Sequence, residues 1–150
     1  MLDYQTAVER FDLQRAVDRD LHGSPEALNA CVECCDRHLG QDRVALYQEG
    51  EDGHGEQYTF EQLSDAAGRF ATVLADRGVG AGDRVAGLLP RRVELLITVL
   101  ATWRLGAVYQ PLFTAFGPKA IEHRVHAADT RVIVTDRDNR DKLDEVDTDA

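Results

Sequence analysis

Lysine is nearly absent from the sequence, in which Lys119 and Lys142 are the only two among 17 basic residues. We interpret this preference for arginine as coding bias without functional content. No glycine-rich loop ends in a Gly-Lys-Ser/Thr triplet, and neither a Gly-x-Ser-x-Gly nor a His-Glu-x-x-His pattern occurs. The sequence therefore lacks the signatures of a P-loop nucleotide-binding protein, a serine hydrolase and a zinc protease.

Cysteine occurs only three times, and all three residues lie between Cys31 and Cys35. Thiols so close together cannot build a disulfide framework across a domain. The N-terminus also carries no signal-peptide pattern, so we expect the reducing cytoplasm. Cys31, Cys35 and His38 would share one helix face, but a structural zinc site usually takes two separated ligand pairs. Since no second pair exists, we favour thiols packed in the core.

Long apolar runs are also missing. The longest candidate, 93–108, is interrupted by Thr98, Thr102 and Arg104, and a membrane span needs roughly 20 apolar residues. The net charge of −10 argues against nucleic acid or anionic membrane as a main partner, although it permits a local basic pocket. With 150 residues, of which 43% are hydrophobic, the chain has the size and composition of one globular domain.

The best-defined pattern that is present lies between residues 84 and 136. Strands and helices alternate there: strand 85–89, an apolar helix from Val93, strand 107–112, a polar helix after Gly117-Pro118, and strand 131–135. This order is typical of two βαβ units that share their middle strand. We therefore predict an α/β fold with right-handed crossovers and adjacent parallel strands.

Helices are predicted before this core, in residues 1–40. A surface helix or loosely docked arm covers residues 4–21. A second helix is expected over 25–39, because Ser24 suits an N-cap, Pro25 suits the first helical position and Gly40 suits the end.

Residues 41–150 are predicted to form a partial α/β subdomain that begins with an antiparallel hairpin of strands 43–49 and 57–60. Thr59 and Gln62 form a capping box that starts a helix running to Gly78. The glycines of 78–83 follow that helix and precede a strand, so they indicate a helix end and a turn rather than a phosphate loop. Asp136 is expected to cap a last helix that ends near residue 146.

A loop with two aromatic side chains follows the second predicted strand and consists of Phe113, Thr114, Ala115, Phe116 and Gly117. Open α/β sheets place ligands at the carboxyl ends of their strands, so this loop is a candidate ligand-binding element. Positive charge is expected at the same edge from three arginines: Arg124, Arg137 and Arg140. The competing interpretation is that the phenylalanines fill the core and the arginines are solvated.

The sequence offers no catalytic or metal-binding set. His123 and His126 stand three residues apart on the polar helix, but spacing alone does not supply the further ligands of a metal site, so we favour solvated histidines. No spacing among the acidic residues singles out an acid–base pair. We therefore assign no catalytic residue and no metal ligand.

Three segments carry a family resemblance: 58–63 (YTFEQL), 82–86 (GDRVA) and 105–112 (LGAVYQPL). They resemble the N-terminal region of the AMP-forming acyl-CoA synthetases, which belong to the adenylate-forming superfamily. The loop 113–118, followed by 120–124 (AIEHR), is most similar to the acetyl- and medium-chain acyl-CoA synthetase branch. The resemblance covers about 29–143.

This resemblance implies a reaction in which a carboxylate and Mg·ATP form an acyl-adenylate and pyrophosphate, after which CoA displaces AMP. It also implies that the loop 113–117 holds the CoA nucleotide and that Arg140 binds its phosphates, with Arg137 as the alternative contact. The family's Ser/Thr/Gly-rich ATP loop, its later aromatic-Gly-x-Thr-Glu segment and its C-terminal lysine do not occur in this chain. The resemblance therefore implies an N-terminal fragment that is inactive alone.

Two alternatives remain open at this point. The chain is either part of such a synthetase or a stand-alone, non-catalytic module that binds CoA or another nucleotide; a structural remnant is a third interpretation. An incomplete sheet would leave a backbone edge and apolar helix faces uncovered, so we expect self-association. The acyl substrate is not encoded in these residues.

Overall fold

The computed structural model describes residues 3–24, 26–50, 53–148 and 150, and their order of elements is that of an α/β protein. The α-helices are α1 (Tyr4–Glu9), α2 (Leu13–Asp20), α3 (Ala30–Cys34), α4 (Phe60–Asp76), α5 (Val93–Arg104), α6 (Pro118–Ala128) and α7 (Arg137–Arg140). The strands are β1 (Val44–Glu49), β2 (Gly55–Thr59), β3 (Arg84–Leu88), β4 (Val108–Leu112) and β5 (Val132–Thr135). Short 3₁₀ turns cover Asp36–His38 and Asp141–Leu143.

The central sheet is parallel and has the strand order β4-β3-β5. Val85 of β3 pairs with Tyr109 on one side and with Val132 on the other. The expected adjacency is therefore confirmed for β3 and β4 but is wrong for β4 and β5, because β5 lies on the far side of β3. The parallel orientation of the three strands is as predicted.

Helices cover both faces of this sheet, and that arrangement explains the strand order. Val85 faces a cluster built with α4 and α5. Ala86 and Leu88 face the opposite way, towards Ile121 and Val125 of α6. Because α5 and α6 cross on opposite faces, two crossovers of the same hand carry the chain first outward to β4 and then back past β3.

The β1–β2 hairpin and α4 agree with their predicted patterns. The two strands pair antiparallel, with Tyr47 opposite Gln57. The Thr59 side chain accepts from the Gln62 backbone N–H, and the Gln62 side chain accepts from the Thr59 backbone N–H, so both halves of the capping box are present. Gly78 has φ +80°, as expected of a residue that ends a helix.

Two predicted helices are shorter than expected. α3 begins at Ala30 because the Asn29 side chain caps it and accepts from Cys31 N and Val32 N; the predicted start at Pro25 lies outside the described residues. Asp136 does cap α7 by accepting from Asn139 N, but the α-helix ends at Arg140 and continues only as a 3₁₀ turn. α1 and α2 bury no residue, which agrees with a surface arm.

Cys31 and Cys35 are buried in the core at 0% and 1% exposure, whereas Cys34 is exposed. The first two therefore pack as small apolar groups, as predicted. None of the helices in the described ranges is both long enough and apolar enough to cross a bilayer. The division into residues 1–40 and 41–150 stays a prediction.

Candidate functional site: an aromatic loop tied to α7

The loop 113–117 lies at the carboxyl end of β4 and leads directly into α6. A turn closes it, in which Phe116 N donates to Phe113 O at 2.9 Å, and Pro118 then occupies the first turn of the helix. Phe113 is 62% exposed, and its ring meets the ring of Phe116 edge-on with centroids 5.9 Å apart. Phe116 is half-buried against the α6 face of the core. Phe113 therefore does not fill the core, while Phe116 partly does.

Arg124 is held beside this loop by the ring of Phe116. Its guanidinium lies 4.1 Å from the ring centroid, and Nη1 donates to Ala120 O at 3.0 Å. Stacking on an aromatic face is favourable for a guanidinium and limits the conformations it samples. An arginine has five N–H donors, so this arrangement leaves donors for a ligand.

The segment after β5 contacts the loop through a lysine. Lys142 Nζ donates to Thr114 O at 2.5 Å and to Asn139 Oδ1 at 2.8 Å. Asn139 is 8% exposed and donates in turn to Asp136 Oδ1 at 2.7 Å. A chain of hydrogen bonds thus joins the end of β5 to the loop that follows β4.

The three candidate arginines are not brought together in one cluster. Arg124 lies beside the aromatic loop, whereas Arg137 and Arg140 are exposed on α7. Arg140 forms an ion pair with Asp144 at 2.5 Å, in which both side chains are more than half exposed. Such exposed pairs contribute little to stability, so Arg140 can exchange this partner for a ligand at small cost.

Lys142 contacts the candidate loop, but it is absent from the residues predicted for the site because the scarcity of lysine is interpreted above as coding bias. Its position in the sequence was the signal that could have indicated a place in the site. One of only two lysines in the sequence lies in the segment that also carries Arg137 and Arg140. Its contact with Thr114 depends on the placement of β5 next to β3, which the sequence pattern did not predict.

The sequence comparison matches this architecture to a known family. The family model described as AMP-binding enzyme matches residues 34–150, which is most of the chain. The chain belongs to the AMP-binding enzyme family. The match includes every element of the site described above.

Relatives of known name lie within this family. The chain is 40% identical over 111 residues to an acetyl-coenzyme A synthetase of Streptomyces coelicolor, which covers 72% of the chain and 17% of that protein. It is 37% identical over 132 residues to an acetyl-coenzyme A synthetase of Saccharophagus degradans, covering 86% of the chain and 20% of that protein. The chain thus spans a fifth or less of the length of these two relatives.

A solved structure agrees with this placement. The crystal structure of an acyl-CoA synthetase from Brucella canis superposes with a TM-score of 0.94 at 50% sequence identity. The match covers 98% of the chain and 27% of the Brucella protein. The fold of this AMP-binding family member is therefore that of the corresponding part of the larger enzyme.

A polar cluster elsewhere in this AMP-binding family member serves the packing of α3. Arg104 Nη2 donates to Asp36 Oδ1 at 2.7 Å and to Ser64 Oγ at 3.1 Å, and it lies 3.4 Å from Cys31 Sγ. Burial raises the pKa of the Cys35 thiol to about 11 and also raises the pKa of Cys31, so both thiols stay protonated at neutral pH.

The remaining histidine candidates are surface residues. His123 and His126 are both exposed on α6. Within the described ranges, no group of three His, Cys, Asp or Glu side chains is placed to hold a metal ion.

Proposed function

We propose that this chain forms part of an AMP-forming acyl-CoA synthetase and supplies one wall of the site that holds the CoA nucleotide. The observation that carries the proposal is the exposed aromatic loop, which has Arg124 stacked beside it and is tied to α7 by Lys142. An exposed ring next to a guanidinium suits an adenine base and its phosphates. The family and its acetyl-coenzyme A synthetase members support the choice of ligand.

The whole enzyme would convert a carboxylate, ATP and CoA into an acyl-CoA, AMP and pyrophosphate, with Mg²⁺ as the metal. In this proposal the present residues bind and orient CoA, with phosphates on Arg140 or Arg137, and perform no chemical step. In this proposal Mg²⁺ and ATP bind to other parts of the enzyme, because the Ser/Thr/Gly-rich loop that the family resemblance assigns to ATP does not occur in this sequence. We place the protein in the cytoplasm, which agrees with free thiols at Cys31 and Cys35.

A binding measurement tests the CoA role. Titration calorimetry of the 150-residue chain with CoA should show binding that Arg140→Ala weakens by about 10-fold or more, since a charge-assisted hydrogen bond contributes roughly 1.5–3 kcal/mol. Phe113→Ala should weaken it by about 10-fold, since stacking of a base on an aromatic ring contributes roughly 1–3 kcal/mol. Arg19→Ala is the matched control, because Arg19 forms an exposed ion pair with Asp20 in the N-terminal arm. Equal affinities for all variants would contradict the assignment.

Inactivity of the chain alone has its own test. ATP–pyrophosphate exchange with acetate, butyrate or benzoate should stay at the background rate. Exchange above background would show that the acyl-adenylate forms without the parts that this proposal assigns elsewhere.

The chain by itself is also proposed to self-associate along β5. One edge of β5 is unpaired within the described sheet. Beside it, an apolar groove of about 530 Å³ is lined by side chains that include Phe70, Val73, Ile97 and Val134. The groove is also lined by two arginines and two carboxylates, namely Arg69, Arg92, Glu94 and Asp136. Because it carries both signs of charge, the same surface of a second chain can pair with it.

A further inference from the structure

A second groove lies on the hairpin side of the aromatic loop. It has a volume of about 1060 Å³ and opens between the end of β1, the start of α5 and the carboxyl end of β4. We call it the hairpin groove. Its lining includes Glu49, Arg91, Arg92, Tyr109, Phe113 and Arg124.

The charge of this groove is opposite to that of the whole chain. Three arginines, Arg91, Arg92 and Arg124, line it against one carboxylate, Glu49, although the net charge of the chain is −10. Arg91 and Arg92 are exposed, and among the described residues neither guanidinium forms a hydrogen bond or an ion pair. Guanidinium groups gathered around one concave surface attract an anion and suit phosphate geometry.

The backbone next to these arginines is held by a contact between the hairpin and α5. Gln48 Oε1 accepts from Val93 N at 2.7 Å and so takes the place of a side-chain N-cap, which Arg92 does not provide. This bond holds the end of β1 against the first turn of α5. Arg91 and Arg92 are thereby held in the short turn between β3 and α5, at the mouth of the groove.

Aromatic side chains also line the groove, namely Tyr109 and Phe113. The ring of Tyr109 lies across Gly87, where an added Cβ would be 2.3 Å from the Tyr109 hydroxyl oxygen. Among the described residues that oxygen is buried and has no hydrogen-bond partner. Phe113 extends the aromatic lining towards the loop. The lining of the groove therefore combines arginines with aromatic rings.

We propose that the hairpin groove binds the phosphate-bearing part of a nucleotide ligand, with phosphate oxygens on Arg91 and Arg92 and a flat ring against Tyr109 and Phe113. This inference rests on the proposed CoA function and adds to it an anion subsite separate from Arg137 and Arg140. It also gives a role to the Arg91-Arg92 pair.

The test uses the full chain and three probes: CoA, 3′,5′-ADP, and pantetheine, which lacks the nucleotide. R91A/R92A should weaken the binding of CoA and of 3′,5′-ADP by 10-fold or more and leave pantetheine unchanged. R10A/R15A is the matched control, because it removes the same charge from exposed residues of the N-terminal arm. Circular dichroism of each variant verifies that the fold is retained.

The outcomes separate this inference from the function on which it rests. If R91A/R92A binds CoA and 3′,5′-ADP as well as the wild type while R137A/R140A does not, the hairpin groove is ruled out and the CoA function stands. If CoA fails to bind but 3′,5′-ADP binds in a manner that depends on Arg91 and Arg92, the groove stands and the CoA function fails. If neither probe binds the wild type, both are overturned.

Discussion

At the residue scale, the contact between Gly87 and Tyr109 shows how one missing side chain shapes the sheet. Gly87 lies in β3 and is paired with Pro111 of β4, while the tyrosine ring covers the space where a Cβ would stand. Burial raises the pKa of the Tyr109 phenol, so the ring stays neutral. Glycine is therefore needed here for close approach.

Gly87→Ala should destabilise the protein by about 1–3 kcal/mol, because the tyrosine must leave its position. Gly68→Ala is the control and should stabilise the protein. Its added Cβ would be 3.8 Å from the nearest atom, Arg104 Nη1, so it fits without a clash. Alanine is also more favourable than glycine in an α-helix by about 1 kcal/mol. Urea denaturation measures the free energy of unfolding of both variants. When it is combined with Gly87→Ala, Tyr109→Phe should restore part of the lost free energy of unfolding. Strictly additive effects of the two substitutions on that free energy would contradict the contact between Gly87 and Tyr109.

The three thiols should differ in reactivity, because Cys34 is exposed whereas Cys31 and Cys35 are buried. In the native protein, a thiol reagent at neutral pH should modify Cys34 quickly, and Cys31 and Cys35 only after unfolding. Fast modification of all three in the folded state would contradict the burial.

The raised pKa of Cys35 also predicts a dependence of stability on pH. The pKa rises from 9.0 in the unfolded chain to about 11 in the fold, so the unfolded state releases its proton first. The contribution of this thiol to stability is complete below pH 9 and is lost as the pH rises towards 11. Cys35→Ala should make the free energy of unfolding less dependent on pH in that window.

At the scale of elements, local signals predicted structure well where the deciding contacts are close in sequence. The capping box of Thr59 and Gln62 lies within one turn, and α4 begins where it was expected. The start of α3 was missed because Asn29 competes with Ser24 as a cap, and Asn29 also donates to Arg104 O, 75 residues away. Contacts of that range are not visible in a local pattern.

The strand order and the site depend on the same long-range information. Alternating strands and helices predicted parallel pairing, and the position of the aromatic loop after β4 followed from it. Whether α6 crosses on the same face as α5 or on the opposite one depends on the fit of Ile121 and Val125 against Ala86 and Leu88. Lys142 joins the loop only because that crossing places β5 beside β3.

Thr59→Ala should lower the free energy of unfolding by about 1 kcal/mol, because the first turn of α4 loses its N-cap acceptor. Thr59→Ser keeps the hydroxyl and should retain most of the stability. Thermal or urea unfolding followed by circular dichroism measures the difference. Equal loss in the serine and alanine variants would show that the methyl group, rather than the cap, matters here.

At the scale of the whole molecule, the central sheet has two edges, β5 and β4, whose surroundings differ in polarity. The groove beside β5 is mainly apolar, and Val73 on its wall is 40% exposed. On the other side, Val108 of β4 is 52% exposed. The unpaired edge of β5 lies beside a mainly apolar groove, whereas the groove at the carboxyl end of β4 is lined by three arginines, so the β5 side is where a second copy should bind.

Sedimentation velocity should show a concentration-dependent dimer of the chain, and Val73→Asp should shift it to monomer. Val108→Asp is the matched control, since it places the same charge on the opposite side of the sheet and should leave the dimer intact. A monomer at all concentrations for the wild type would rule out self-association, and loss of the dimer only in Val108→Asp would move the interface to β4.

The bond from Lys142 to the Thr114 carbonyl has a mechanical consequence. It spans the end of the central strand and couples the connections that leave the two outer strands. This contact joins the backbone between Phe113 and Phe116 to the segment that follows α7 through a side chain, and not through the hydrogen bonds of the sheet. The loop after β4 and the short helix after β5 therefore share one hydrogen-bonded network, in which the buried Asn139 is the central residue.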